Sequence, residues 1–567
     1  MKKTPILLAA AFNFLAIFST LGIFFIEGQG DSAFNSLFNS LWWTIVTFTT
    51  VGYGDMSPIT VEGRIFGMLI LAGGVILNSV VISLVSNWFL NYRSSRFYGL
   101  KPVDMHDHIM ICSNDEIFIT SIITENLEFY EANKIVIVSE LKEHPLKRTP
   151  YESIPWVSGI PYDTGTLKKA SVDRAAIAYV SFADDSETVL TVMQVEKFTN
   201  QEAITIALDN DDDYHKHLAN VGCDYALNPY DIYVPLMVQA FRGPGAPTLI
   251  REMILRGRHS HTIESVKISP EFINKPWLDY LLACKKKYGQ IPLEMIDEEE
   301  RAYANPKCDM LISPNSKALM LVPPKDKSMI DGKGARLTGL SPILPTGHIL
   351  ICSDQHTFIR RILVELELSG VNEDIVILSK LEPILDLDSQ FNIDWVLAKV
   401  SSDKGFVEAR VKEAKVAFVD HEQDNHTLME VIRLENLTDG AIFTIASYRV
   451  GEIGDRLLEA GCDFSVNSDE LIAPVLSQSA AHQGVGRLIE QIISQDHHSE
   501  SMFARKLSHN WKECSWFDTM VYLKTKYEYL AMGLMKQGND RLLTNPAMDV
   551  PVSVGDSVLF ITSKSEL

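Results

Sequence analysis

The sequence predicts a multi-domain chain: an α-helical membrane part with two spans, then two copies of an α/β unit, each closing in a smaller α+β lobe. Three observations carry this. Residues 1–92 hold only Lys2, Lys3, Arg64, Glu27, Asp31, Asp55 and Glu62 as charged side chains, although the 567-residue chain has a formal net charge of −22. Two uncharged runs of membrane-spanning length lie inside that stretch. Beyond it, short motifs recur at an offset of 239–240 residues. The charge argues against nucleic acid as a partner, since phosphate binding needs a basic face. Seven cysteines with no CxxC pair read as reduced thiols rather than disulfide staples.

The first span is read over 5–26 and the second over 65–90, each long enough to cross ~30 Å of hydrocarbon as a helix. A cleaved signal peptide is disfavoured for the first, because the run is long and no Ala-x-Ala site closes it. Lys2 and Lys3 flank the first span, and Arg93, Arg96 and Lys101 follow the second. The positive-inside rule then places both termini in the cytoplasm of a multi-pass cell (inner) membrane protein, with the loop 27–64 outside.

That loop carries a pore helix and filter over 34–55. Phe34 to Phe48 is apolar, aromatic and too short to span, and it leads into Thr50-Val51-Gly52-Tyr53-Gly54. This string is the pattern of a potassium selectivity filter, in which backbone carbonyls replace the hydration shell of K+. Gly52 and Gly54 free the backbone to aim successive carbonyls along one axis. Tyr53 is expected to turn from the ion and pack on Trp42 and Trp43. One filter segment per chain requires four chains, hence a homotetramer in a lipid bilayer with K+ as the permeant ion. In the second span Gly73-Gly74 marks either a gating hinge, the favoured reading, or close helix packing. Asn78, Ser79, Ser83, Ser86 and Asn87 form a polar stripe expected to face the aqueous pore.

A linker, 93–103, leads to the duplicated part. His108-Ile-Met-Ile-Cys112-Ser113 recurs as His348-Ile-Leu-Ile-Cys352-Ser353, and Gly222-Cys-Asp-Tyr225 as Gly461-Cys-Asp-Phe464. Trp277 matches Trp516, and Asn305-Pro306 matches Asn545-Pro546. The copies are placed at 104–330 and 343–567, joined by a Gly/Pro-containing linker at 331–342. In the first copy, apolar strands are expected at 108–112, 134–138, 155–158, 176–182, 203–208 and 223–227. Continuous apolar runs between amphipathic helices predict a parallel sheet covered on both faces. The terminal lobes are expected at 262–324 and 502–567.

Filter, spans and tandem repeat together resemble a prokaryotic two-transmembrane-helix potassium channel with tandem RCK (regulator of K+ conductance) domains, and the likeness extends over essentially the whole chain. The resemblance implies Rossmann-like RCK units, a cytoplasmic gating ring of eight such units from four chains, and gating by a small nucleotide ligand, a divalent cation or both. The positions matching the family's Gly-rich turn read Ser113-Asn114-Asp115 in copy one and Ser353-Asp354-Gln355 in copy two, so both depart from the dinucleotide pattern. Glu140, past the second strand, is the residue placed to take ribose hydroxyls; copy two has Lys380 there. Copy one is therefore the favoured site for NAD or an adenine nucleotide. Arg174, Arg242, Arg251, Arg256 and Arg258 are further phosphate candidates.

Calcium is the other candidate. Asp184-Asp185-Ser186-Glu187 follows one strand end, and Asp209 with Asp211, Asp212 and Asp213 follows the next, which makes Asp185 and Asp209 the expected ligands. In calcium-gated relatives the matched aspartate is Asp185, but the two following glutamates correspond to Leu208 and Asn210, so that site is not reproduced. His259, His261, His497 and His498 read as junctional polar loops rather than a zinc site. Ligand-gated K+ channel is the leading reading, with no enzymatic activity. A membrane-anchored NAD-dependent enzyme lacks a visible catalytic constellation, and a constitutively open pore with a structural ring is the third alternative.

Overall fold

The structure, a computed structural model, describes residues 4–29, 32–97, 99–127, 130–242, 245–255, 261–324, 335–336, 346–384, 389–400, 402–482, 484–494, 500–538 and 541–563. It divides into two compact units, Met1–Lys101 and Pro102–Leu567.

In the first unit the apolar runs become α1 (Thr4–Glu27) and α3 (Val61–Phe97), with α2 (Leu37–Phe48) between them. Among the described residues, Val61–Val80 is a stretch long and apolar enough to cross a membrane. α3 exceeds the expected 65–90 at both ends. Thr60 starts it early by accepting the Gly63 N–H on its hydroxyl (3.0 Å). At the other end the helix runs through the expected start of the linker, because no glycine or proline occurs between Gly74 and Gly99. Helix contact relies on missing side chains: a Cβ on Gly22 would lie 2.3 Å from the Phe66 ring. Gly74 is likewise buried, 3.0 Å from Phe48 at the Cβ it lacks, and α3 continues unbroken through the Gly73-Gly74 pair. Close packing is thus the role for which the pair has a contact.

The second unit opens with β1 (His108–Ser113), α4 (Glu116–Asn126), β2 (Ile135–Ser139), β3 (Trp156–Ser158), α5 (Thr164–Lys169), β4 (Ala175–Ser181), α6 (Asp185–Thr199), β5 (Ile204–Leu208), α7 (Asp212–Asn220) and β6 (Tyr225–Leu227). These match the six expected strands to within two residues. They pair in parallel in the order β3-β2-β1-β4-β5-β6, the Rossmann-like arrangement. Two crossover helices, α8 (Tyr230–Arg242) and α9 (Ala246–Ile254), lead to an antiparallel lobe of β7 (Thr262–Lys267), α10 (Trp277–Tyr288), β8 (Ile291–Ile296), β9 (Ala302–Ala304) and β10 (Lys317–Val322).

After β11 (Ala335–Arg336) the pattern repeats: β12 (His348–Ser353), α11 (His356–Leu368), β13 (Ile375–Ser379), β14 (Ile393–Leu397), α12 (Asp403–Glu408), β15 (Ala414–Asp420), α13 (Asp424–Thr438), β16 (Phe443–Tyr448), α14 (Gly451–Glu459) and β17 (Phe464–Asn467). The second sheet has the same order, and even the register shift after its first residue recurs, at His108/Ile109 and His348/Ile349. Crossover helices α15 (Ser468–Ala481) and α16 (Val485–Ile493) precede the second lobe, β18 (Glu500–Lys506), β19 (Cys514–Ser515), α17 (Trp516–Tyr527), β20 (Leu530–Met535), β21 (Arg541–Thr544), β22 (Pro551–Val552) and β23 (Ser557–Ser563). β11, expected to be plain linker, instead adds an edge strand to this lobe by pairing with β21.

The copies interlock. α4 of the first rests on α15 of the second, and α11 of the second on α8 of the first. Asn126 Nδ2 donates to Ser477 Oγ (3.0 Å) at one contact, and Arg361 pairs with Asp231 (2.7 Å) at the other. One apolar core runs through both, from Ile109 to Ile561, so the repeats bury their faces on each other as well as on their own helices.

Candidate functional site

In the first unit, Ser36 caps α2 by accepting the Asn39 N–H (3.1 Å), and the 12-residue helix ends at Thr49. The N–H groups of Val51 and Gly52 return to the Val46 carbonyl (3.1 and 3.3 Å), which folds the next residues back on the helix end. Left-handed backbone then appears at every second residue: Thr50 (φ 58°), Gly52 (57°) and Gly54 (74°). Alternating hand turns successive carbonyls to one side of the chain, and it explains why glycine stands at two of the three positions. Trp42 does what was expected of it, stacking on Tyr53 (5.9 Å between ring centres, 5° between planes) and donating Nε1–H to Asp55 (3.0 Å). Trp43 does not join it; it is buried edge-on against Phe34 (5.7 Å). Behind this turn Glu27 accepts from Thr60 N (2.8 Å) and Thr60 Oγ1, and Gly63 leaves the room, since a Cβ there would lie 2.0 Å from the Glu27 carboxylate. Ser79, Ser83 and Ser86 are exposed and Asn78 half-buried; the side chain of Asn87 lies outside the described residues.

In the second unit, both β1–α4 and β12–α11 turns lie at strand carboxyl ends. In copy one Asp115 caps α4, accepting from Ile117 N (2.8 Å) and Phe118 N (3.4 Å), while Ser113 Oγ accepts the Asp115 N–H (3.0 Å). Asn114 Oδ1 accepts from Ser139 Oγ and Glu140 N, both at 2.9 Å, tying the ends of β1 and β2 together. The Glu140 side chain is exposed at the rim. Copy two fills the matching space with charge. Asp354 accepts from Lys380 Nζ (2.8 Å) and Glu422 N (3.0 Å) and lies 3.4 Å from His421, which lies 3.4 Å from Glu430. Burial opposes charge on Asp354, but its contacts with His421 and Lys380 prevail and hold it far below the usual carboxylate range. Burial likewise lowers His421, and the two carboxylates outweigh it, raising the imidazole to about 9.

Between the copies is a pocket of about 280 Å³ lined by both turns, through Asp115 and Gln355, and by Tyr230, Tyr233, Arg449 and Asp469. Gln355 Nε2 donates to Asp420 (2.9 Å) and its Oε1 accepts from Tyr230 (2.9 Å), linking the second turn to α8 of the first copy. Burial raises Asp469 to about 6 against the opposing charge of Arg449. Tyr230, Arg449 and Asp469 carry no motif; only the repeat, which makes residue 230 correspond to 469 and 210 to 449, points to them.

The two acidic loops do meet, as expected, but through N–H groups. Asp185 accepts from the Asn210 backbone N, Asn210 Nδ2 and Asp211 N, each at 2.9 Å, and Asp184 and Asp211 cap α6 and α7. Asp209 is buried and paired with His215 Nδ1 (2.8 Å), a contact that raises the imidazole. Among the described residues no group of three or more His, Cys, Asp or Glu is arranged to hold a metal ion. Of the arginines, Arg174 precedes β4 and pairs with Asp104 (2.7 Å) at the opposite end of the sheet from the crevice, and Arg251 pairs with Glu470 (2.8 Å). The Arg242 side chain, Arg256, Arg258, His259, His497 and His498 lie outside the described residues, and His261 is buried.

Comparison with known proteins agrees with this architecture. The family model described as "Ion channel" matches residues 10–91, and the TrkA-N domain model matches 119–229. The calcium-gated potassium channel TvoK of Thermoplasma volcanium is 29% identical over 229 residues, covering 39% of this chain and 64% of that protein. The putative potassium channel protein YugO of Bacillus subtilis is 30% identical over 172 residues, 29% of this chain and 51% of that one. The voltage-gated potassium channel Kch of Escherichia coli is 21% identical, over 39% and 53%. The chain thus spans between half and two thirds of the length of these relatives. Among solved structures, the GsuK channel aligns over 100% of this chain and 97% of its own with a TM-score of 0.52 at 15% identity. The human SLO3 gating ring aligns over 80% and 98% with a TM-score of 0.59 at 13% identity. Both are likenesses of fold. The chain joins an ion-channel domain to TrkA-N (RCK) units and is homologous to bacterial potassium channels.

Proposed function

We propose that this chain is one subunit of a K+-selective, ligand-gated membrane channel. Four chains surround one pore, the Thr50–Gly54 carbonyls dehydrate and pass K+, and eight RCK units form a cytoplasmic ring that biases opening. The observation that carries the pore assignment is the alternating left-handed backbone at Thr50, Gly52 and Gly54, set at the end of a half-length helix between two longer ones. The pore lies in the cell membrane with both termini inside, as the Lys and Arg flanking the spans favour. The Rossmann-like units serve regulation rather than catalysis. TvoK is called calcium-gated, and one GsuK structure is of the channel bound to NAD. For this chain we favour a nucleotide at the pocket shared by Asp115, Tyr230 and Arg449. The carboxylate of Asp185 is already met by three N–H donors, which makes Asp185 and Asp209 the weaker, calcium-binding alternative. A ligand shifts opening only by its difference in affinity for the open and closed rings.

Flux into liposomes holding the purified full chain tests this. Wild type admits K+ over Na+, and NAD, ADP or Ca2+ changes the rate. Gly52→Ala, which puts a Cβ on left-handed backbone in the filter, abolishes K+-selective flux. Selective flux surviving in Gly52→Ala contradicts the filter, and flux indifferent to all three ligands leaves the open-pore reading in place of ligand gating by them.

A further inference from the structure

The recurring Asn-Pro pair has no part in pore or crevice, yet both copies place it on buried lysines of the other. Lys285, in α10 of the first lobe, donates its Nζ–H to Asn545 Oδ1 and to the Pro546 carbonyl (2.8 Å) of the second. Lys524, its counterpart in α17, donates to Asn305 Oδ1 (2.8 Å) of the first. The asparagines answer in kind: Asn305 Nδ2 donates to the Glu528 carbonyl (2.9 Å), and Asn545 Nδ2 to the corresponding Gly289 carbonyl (2.8 Å). Both asparagines adopt left-handed backbone (φ 45° and 46°), and both lysines are buried, 2% and 0% exposed. Neither contact closes within one copy.

The two halves differ in the carboxylates beside them: Asn305 Nδ2 also donates to Glu500 Oε2 (3.0 Å), whose match in the first copy is His261. Lys524 has a carboxylate, Glu528, at 2.9 Å one helical turn on. The residue matching Glu528 in the first copy is Gly289, so Lys285 rests on neutral carbonyl oxygens. We propose that these reciprocal contacts are a lobe-to-lobe latch with a permanent half at Lys524 and a proton-releasable half at Lys285, so that the Asn545-Pro546 side yields when the lobes move.

Burial lowers Lys285 to about 8, and no counter-charge opposes that. The titratable groups around it do not replace one. His261, at the start of the first lobe, is itself pushed down to about 4 by burial and by Lys285, and is therefore neutral. Lys286 lies over the Phe517 ring (5.0 Å), and Glu252 of α9 is engaged by Thr544. A lysine whose value in the docked lobe lies below its value in water favours docking in its neutral form. Docking therefore strengthens as pH rises from about 8 towards 10.5 and is weaker at neutral pH.

Hydrogen exchange on the full-length protein, corrected for the intrinsic pH dependence of exchange, tests this at the two turns. Protection of the Asn545 amide rises about tenfold or more between pH 7 and 9.5, while protection of the Asn305 amide stays level. Gly289→Glu supplies the missing carboxylate on a backbone (φ 70°) that Glu528 itself tolerates (φ 57°). It raises protection of the Asn545 amide at pH 7 and flattens the pH response, whereas the neutral control Gly289→Gln does neither. Equal pH responses at the two turns, or a response unchanged by Gly289→Glu, overturn the proposal.

Discussion

The two copies of the repeat share sheet order, register and even a bulge, yet their crevices have gone separate ways. At the end of β1 the position after Ser113 is neutral, with Asn114 holding Ser139 and Glu140. At the end of β12 the same position is Asp354, and Lys380, His421 and Glu430 close round it. Each of these has an uncharged or opposite counterpart in copy one: Asn114 for Asp354, Glu140 for Lys380, Phe182 for His421 and Thr191 for Glu430. A buried charge needs a partner, so such a set changes together or not at all. Copy two fills this position with its own charged side chains, while copy one keeps Glu140 exposed at the rim.

Asp354→Ala breaks this contrast most severely. It takes from the buried His421 one of its two carboxylates, Glu430 remaining, and frees the half-exposed Lys380; removing one partner of a fully buried pair costs about 3–5 kcal/mol, which is the upper bound here. Asn114→Ala, the matching change in copy one, removes neutral bonds and costs about 1 kcal/mol. Urea unfolding of the full chain, followed by exchange in β12 and β1, reads both. Equal losses would mean that the charged cluster has no special weight.

Changing pH separates the copies without mutation. His421 sits at about 9, above its unfolded value, so its contribution is complete below about 6.5 and is lost as pH rises through 9. Asp354 is depressed, so its contribution is present above about 4 and fades as pH falls below that. Protection in β12 should therefore plateau from about pH 4 to 6.5 and decline towards 9, while β1 lacks this cluster's decline. The smallest effect is at the helix starts. Asp115→Ala removes a cap worth about 1 kcal/mol, whereas Gln355 makes no cap bond to α11, so any loss in Gln355→Ala comes from Tyr230 and Asp420 instead. Thermal unfolding of the two variants compares them.

Much of the fold was legible because it rests on local pattern. Apolar runs bounded by turns located all six strands of the first sheet, and the offset of 239–240 residues carried them into the second. The turn at Thr50–Gly54 was legible for a similar reason, as five adjacent residues encode its backbone. What was not legible depends on residues distant in sequence. Nothing in Arg449 or Tyr230 marks them as neighbours until two interlocked copies bring them to one pocket. Composition shows Asp185 only as a member of an acidic loop; that its carboxylate accepts from the N–H groups of Asn210 and Asp211 is a contact composition does not reveal. Trp43 resembled Trp42 in sequence, and one position along α2 separates a ring stacked on Tyr53 from a ring buried on Phe34. β11 was hidden because a two-residue edge strand leaves no periodicity to read.

The reversal potential of the purified full chain in a planar bilayer, under opposed K+ and Na+ gradients, bears most directly on the pore assignment. A K+-selective pore sets it close to the K+ equilibrium potential, and Gly52→Ala abolishes that current. A potential lying midway between those of K+ and Na+, or a wild-type bilayer that passes no current under any of the tested ligands, contradicts the assignment of Thr50–Gly54 as a potassium filter.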